Sequence, residues 1–152
     1  MATVNVREAT LVDASAIVRL IGEHAVSSGE QTPITEAYVA TYLASSTSRI
    51  LLAEVQNRVV GLLSYSLRPD LFHAGPACLL EELIVEEAAR GQGVGSALVT
   101  ELFSRLTPLA CAEVSVAVMP DNHRAIKFYR THGLIEEALY LERHFMRGSP
   151  VR

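Results

Sequence analysis

Glu81-Glu82-Leu83-Ile84-Val85-Glu86-Glu87-Ala88-Ala89-Arg90-Gly91-Gln92-Gly93-Val94-Gly95-Ser96 is the most informative segment of the sequence. It ends a strongly apolar run, Ala77 to Val85, that reads as a strand interrupted only by Glu81 and Glu82. After a short acidic link the chain becomes glycine-rich. From Gly93 to Leu106 it then reads as a helix, because Leu98, Leu102 and Leu106 recur every four residues. Glycines let a backbone bend with its N–H groups unobstructed, and a helix start adds partial positive charge. A strand feeding such a turn is a place for a phosphate or pyrophosphate, and Arg90 adds a fixed cation at its rim. Two common nucleotide loops do not fit. A P-loop needs lysine before its Ser or Thr, and Gly95-Ser96 has none. A dinucleotide fingerprint needs a glycine where Leu98 stands, and this loop lies mid-chain rather than after a first strand.

Outward from that stretch the elements alternate. Upstream, Thr3 to Glu8 reads as a first strand and Asp13 as the cap of a helix running to about Ala25. Pro33 is placed to open a second helix, with Ile34, Tyr38 and Tyr42 spaced by four. Ile50 to Val55 and Val59 to Leu67 form a hairpin, followed by a loop between Arg68 and Pro76. Downstream, Pro108 ends the helix, Glu113 to Val118 alternates as a half-polar strand, and Asp121 or Asn122 caps a helix that stops at Gly133. Ile135 to Met146 is expected to hold a last strand or two, and 148–152 to fray. The order is β-α-α-β-β-β-α-β-α-β, a mixed sheet layered with helices.

The chain has 152 residues, 49% of them hydrophobic and 20% charged, which fits one soluble globular domain spanning 1–152. Its net charge is −4 and Lys127 is its only lysine, which argues against a nucleic-acid partner. No apolar run is long enough to cross a membrane and Met1 to Glu8 does not resemble a signal peptide, so a cytoplasmic location is expected. Cys78 and Cys111 read as small buried residues, and the five histidines show no metal-ligand spacing, so no metal is expected.

Arg90-x-x-Gly93-x-Gly95 resembles the Arg/Gln-x-x-Gly-x-Gly/Ala signature of the GNAT superfamily of acetyl-CoA-dependent N-acetyltransferases. Asn122-His123-Arg124-Ala125-Ile126-Lys127-Phe128-Tyr129-Arg130-Thr131-His132-Gly133-Leu134 is similar to that family's second cofactor segment, with Leu134 where Phe is usual. The two motifs stand in the expected order, and the resemblance covers essentially the whole chain.

The resemblance implies an α/β (α+β) GNAT fold, with a mostly antiparallel mixed sheet, strands 4 and 5 splayed, and helices on both faces. Acetyl-CoA as co-substrate would lie along the backbone of Leu83, Ile84 and Val85. Its pyrophosphate would sit on the loop Arg90, Gly91, Gln92, Gly93, Val94, Gly95 and Ser96. Asn122, Ala125, Phe128 and Tyr129 would hold the other side of the arm. Ala125, Phe128, Tyr129 and His132 share a helix face by spacing.

An ammonium acceptor must lose a proton before it can attack a thioester, so a base is required. Glu81 and Glu82 are the candidates, and strand alternation allows only one to face the acceptor; the resemblance leans to Glu81. Tyr129 stands where the family places its general acid. Glu86 and Glu87 read as a solvated acidic face. The resemblance makes Tyr38, Tyr42, Phe72 and His73 candidate pocket residues, each of which alone reads first as packing. The expected function is acetyl transfer to a primary amine, a small cationic one given the acidic balance, by direct attack in a ternary complex. Two alternatives stand beside it: a protein or peptide N-acetyltransferase, and a non-catalytic acyl-CoA-binding sensor. A homodimer fits the family.

Overall fold

The computed structural model of the protein describes residues 2–145; the fray expected at 148–152 lies outside them. The chain forms two compact units, one up to Val116 and one from Ala117 onward.

The first unit is an open five-stranded sheet in the order β1-β2-β3-β4-β5, built from Val4–Glu8, Ser48–Val55, Arg58–Asp70, Gly75–Val85 and Glu113–Val116. The first four strands pair antiparallel, and β4 and β5 pair parallel. Alternation along β2 and β3 sorts the two faces. Ile50, Leu52, Leu62 and Ile84 point to one face, where they pack with Ile17 and Leu20 of α1 (Ala14–Ser27) and Val39 of α2 (Glu36–Leu43). The opposite face receives α3 (Val94–Leu106), whose Val94, Leu98, Val99 and Leu102 are all buried. Helices therefore cover both faces, as expected.

Gly61 on β3 shows how closely α3 is seated. A Cβ there would lie 2.9 Å from Val94 Cγ1, and 3.3 Å from Leu98 Cδ1 and the Ile84 carbonyl oxygen. Val94 is β-branched and cannot swing aside, so any larger residue at position 61 would push the start of α3 outward.

Several local readings change. Asp13 precedes α1 but makes no side-chain cap bond to it. Its buried carboxylate instead takes both guanidinium nitrogens of Arg7 at 2.8 Å and the Thr10 N–H at 2.8 Å, which hold it below the usual carboxylate range. The second helix starts at Glu36 rather than Pro33, because the Thr35 hydroxyl accepts the Tyr38 N–H and Thr35 itself is extended. β3 and β4 run on to Asp70 and back from Gly75, leaving only Leu71–Ala74 as the hairpin tip. β5 stops at Val116, short of Val118.

Glu86 is not a solvated residue. Only 9% exposed, it joins Arg19 of α1 to Arg58 of β3, the latter at 2.9 Å, and its N–H reaches the Val60 carbonyl at 2.9 Å. The chain leaving β4 is thereby fixed to two other elements before the glycine turn begins. Glu87 is exposed, as expected.

The second unit contains α4 (His123–Thr131), capped by Asn122, whose Oδ1 accepts the Ala125 N–H at 3.1 Å. Gly133 follows with φ 88°, the left-handed geometry that closes helices. From Ile135 to Phe145 the chain forms no strand, contrary to the last strand or two expected between Ile135 and Met146. Residues such as Leu139 and Leu141 are open to solvent there, so no pairing partner orders them within the described residues.

Candidate active site

The upper half of β4 has one paired edge and one unpaired edge. On the β3 side, pairing runs through Leu63↔Leu83, Leu62↔Ile84 and Gly61↔Val85. On the β5 side it ends at Leu80↔Val116. Among the described residues no strand takes up the outer backbone groups of 81–85, so an extended, amide-bearing ligand can add there as a strand would. Ile84 anchors this segment in the core, while Leu83 and Val85 are half-buried.

Beyond Val85 the chain makes a short turn at Glu87–Ala89 and enters the glycine loop. Gly91 and Gly93 have φ of 74° and 80°, left-handed values at which L side chains are strained. Nothing lies within 4 Å of where either Cβ would be, so backbone conformation alone requires glycine. Gly93 is the cap of α3, and its carbonyl receives the Ala97 N–H at 2.9 Å. Val94 and Gly95 thus stand in the first turn, where N–H groups have no intrahelical acceptor. Val94 also buries its side chain, fixing the turn to the core. The loop is braced from outside by Arg90 Nε on the Val85 carbonyl at 3.1 Å and by Gln92 Nε2 on the Ala88 carbonyl at 2.9 Å. Arg90 itself is exposed at the rim.

Glu81 and Glu82 depart from strict alternation. The β3–β4 register slips between Ser64 and Tyr65, pairing Ser64 with Glu82 but Tyr65 with Leu80. Glu81 is therefore the extra residue of a bulge. Ser64 and Ser66, two apart on β3, share a face; Ser64 donates to the Glu82 carboxylate and Ser66 donates to Glu81 Oε1 at 2.9 Å. Both carboxylates consequently lie on the α1–α2 side of the sheet. Crowding by the surrounding protein pushes the Glu82 carboxyl above its ordinary range, the Glu81 charge adds to this, and the Ser64 bond and His24 oppose it. Tyr42 of α2 approaches the same group. Burial, with the Glu82 charge adding to it, pushes the Tyr42 hydroxyl above its ordinary range.

On α4, Tyr129 is buried, and burial pushes its hydroxyl up to about 12. Its ring meets Phe128 edge-on at 5.3 Å, and Phe128 meets His132 at 4.7 Å, so the spacing-based face is formed. Asn122 is engaged as the helix cap, Ala125 is half-buried and Lys127 is exposed.

Of the four candidate pocket residues, only Tyr42 joins the carboxylates. Phe72 is 92% exposed at the hairpin tip, where His73 bonds Asp70. That tip lies at least six residues past Ser64, about 20 Å at 3.3 Å per residue. Tyr38 is 60% exposed on α2. Ser64 and His24 carry no sequence motif; a polar Ser64 within the buried run Val60 to Tyr65 is the one signal of the former. Burial pushes the Cys78 thiol up to about 12, which keeps it protonated and unreactive at neutral pH. Among the described residues no group of three or more His, Cys, Asp or Glu is placed to hold a metal, and no helix is long and apolar enough to cross a membrane.

Known proteins share both sequence and fold with this chain. The family model described as acetyltransferase (GNAT) family matches residues 18–134. Thialysine N-epsilon-acetyltransferase of Sus scrofa is 26% identical over 144 residues, 88% of this chain and 85% of that protein. L-2,4-diaminobutyric acid acetyltransferase of Nocardia farcinica is 29% identical over 79 residues, covering 52% of this chain and only 39% of that enzyme. In fold, the chain is similar to a transcriptional regulator from Bacillus halodurans C-125, with TM-score 0.83, 24% identity, and coverage of 94% of this chain and 100% of that one.

Proposed function

The chain belongs to the acetyltransferase (GNAT) family and is an acyltransferase, and from that premise we propose that it transfers the acetyl group of acetyl-CoA to a small cationic primary amine by direct attack. The observation that carries this reading is the half-paired β4 edge leading straight into the left-handed Gly91 and Gly93 turn and the start of α3. The edge offers backbone groups to amides, and the turn offers N–H groups to a pyrophosphate, so the residues fit the co-substrate. Leu83, Ile84 and Val85 would hold the pantetheine amides, and Arg90 to Ser96 the phosphates. Asn122, Ala125 and Phe128 are assigned to the same ligand by the family motif alone. Acetyl-CoA, when bound, supplies an activated acyl group.

The chain's own residues then manage protons. Glu82 is our choice of base: crowding raises its carboxyl above the ordinary glutamate range, which makes it the stronger proton acceptor, and it is held on the face that carries Tyr42 and His24. Glu81, more open and bonded to Ser66, draws a cationic amine to the same side. Tyr129, protonated at neutral pH, holds the proton that the leaving thiolate requires. Two curated relatives are named as acetyltransferases of L-2,4-diaminobutyric acid and of thialysine, which supports a small amine acceptor. One family model runs across the Val116–Ala117 boundary, and on that ground we treat residues 1–152 as one catalytic domain.

The loop assignment is tested by Gly93→Ala. An alanine in the left-handed region costs about 1–2 kcal/mol, which the free loop can shed by relaxing and binding must restore. Calorimetric titration should show acetyl-CoA binding about tenfold weaker than in the unaltered chain. Equal affinities would remove the loop from the site.

A further inference from the structure

We propose that Ser64 is a positioning residue for the base: its hydroxyl locks the Glu82 carboxylate at the bulge in its ionised, acceptor-facing form. This rests on the reading of Glu82 as the base. Three observations carry it. Ser64 is directly opposite Glu82 in the register, at the residue where the bulge begins, so no other β3 side chain can take its place. Its oxygen is used in both directions, accepting the Glu82 N–H at 3.1 Å and donating to the Glu82 carboxylate, which closes a ring from one residue's backbone to its own side chain. Ser64 is only 3% exposed, whereas Glu82 itself keeps an open surface. The lock is therefore buried while the group it holds can still meet a substrate.

A bulge needs such a lock. The extra residue at position 81 breaks the ladder on the β3 side, and the other edge of β4 has no strand beyond Leu80. Backbone pairing alone thus leaves the Glu82 side chain loosely directed, and a fixed hydroxyl supplies the direction. The charged or titratable groups around Glu82 are Glu81 on β4, His24 on α1 and Tyr42 on α2. Of these, Glu81 favours the neutral acid and His24 favours the carboxylate. The Ser64 donor also favours the carboxylate, since a hydrogen bond to the charged form stabilises it.

The experiment combines carbon-13 NMR of glutamate-labelled protein with the pH dependence of kcat/KM. Glu82→Gln deletes one carboxyl resonance and so assigns it. Ser64→Ala should move the midpoint of that resonance up by about one pH unit, the loss expected for one charge-assisted hydrogen bond. The acid limb of kcat/KM should move the same way, with the acetyl-CoA KM unchanged within about twofold. Ser64→Thr, which keeps the hydroxyl, should restore both readouts, and Glu81→Gln should move the midpoint down. Thermal unfolding of each variant accompanies the titrations, and Ser64→Cys, which fills much the same space with a far weaker donor, gives a second upward shift should Ser64→Ala fold poorly. An unmoved midpoint and limb in Ser64→Ala, or in Ser64→Cys if that variant alone can be measured, overturns the positioning role. Full activity in Glu82→Gln would instead overturn the base reading beneath it, so the two failures are distinguishable.

Discussion

Replacing Glu82 by glutamine should lower kcat/KM for the amine by about 10²–10⁴-fold, the usual contribution of a positioned general base. Glutamine has the same shape, and its amide oxygen can still accept from Ser64 while its N–H still donates to Ser64 Oγ, so the bulge is expected to stay intact. What it loses is the ability to take a proton. The pH dependence follows with a definite sign. Because crowding raises the Glu82 carboxyl, the unaltered enzyme should lose rate on acidification earlier than an ordinary glutamate would dictate. The same shift has a consequence for stability. A carboxyl whose folded value lies above its unfolded one costs nothing in acid and becomes unfavourable as pH rises through the folded value. At neutral pH the Gln variant should therefore unfold no more easily than the parent. A fall in activity accompanied by a fall in melting temperature would mean that the variant had simply lost its fold.

Tyr129→Phe should reduce kcat by about 10²-fold with little change in the acetyl-CoA KM, since proton donation acts in the chemical step rather than in binding. The substitution removes one oxygen and keeps the ring, so the edge-on contact with Phe128 at 5.3 Å and the packed face of α4 remain. Burial holds the hydroxyl up to about 12, so Tyr129 stays protonated through the physiological range and no alkaline loss from it should be visible below about pH 10. Steady-state kinetics of the purified variant, read as separate kcat and KM, decide the matter. Unchanged kcat would remove Tyr129 from proton transfer and leave it as packing.

How much of this was legible in the residues depends on how local each cause is. The glycine loop and α3 could be read directly because both signals are short-range: left-handed geometry at Gly91 and Gly93, and a leucine every fourth residue from Leu98. The end of pairing at Leu80, and with it the splay of β4 and β5, came from family likeness, because nothing in Glu81 to Val85 itself states where a neighbouring strand stops. The carboxylate geometry was misread for a related reason. Alternation assumes one residue per rung, and the bulge that places Glu81 and Glu82 on one side arises only when β4 is laid against Ser64 and Tyr65. Glu86 shows the same limit: a charge run looks solvated until Arg19 and Arg58, distant in sequence, close over one member. In the tail, a last strand or two was expected from Ile135 on, but a strand also needs an edge to pair with.

Every catalytic prediction depends on the chain moving an acetyl group from a thioester to a small amine. Release of free CoA thiol from acetyl-CoA, followed across a panel of monoamines, diamines, amino acids and N-terminal peptides, measures that transfer. Thiol release should depend on a small cationic amine, with one acetyl group gained by that amine for each thiol freed. Acetyl-CoA that binds while no amine turns over would overturn the enzymatic reading and favour a sensor; turnover confined to peptides would exclude a small-amine acceptor.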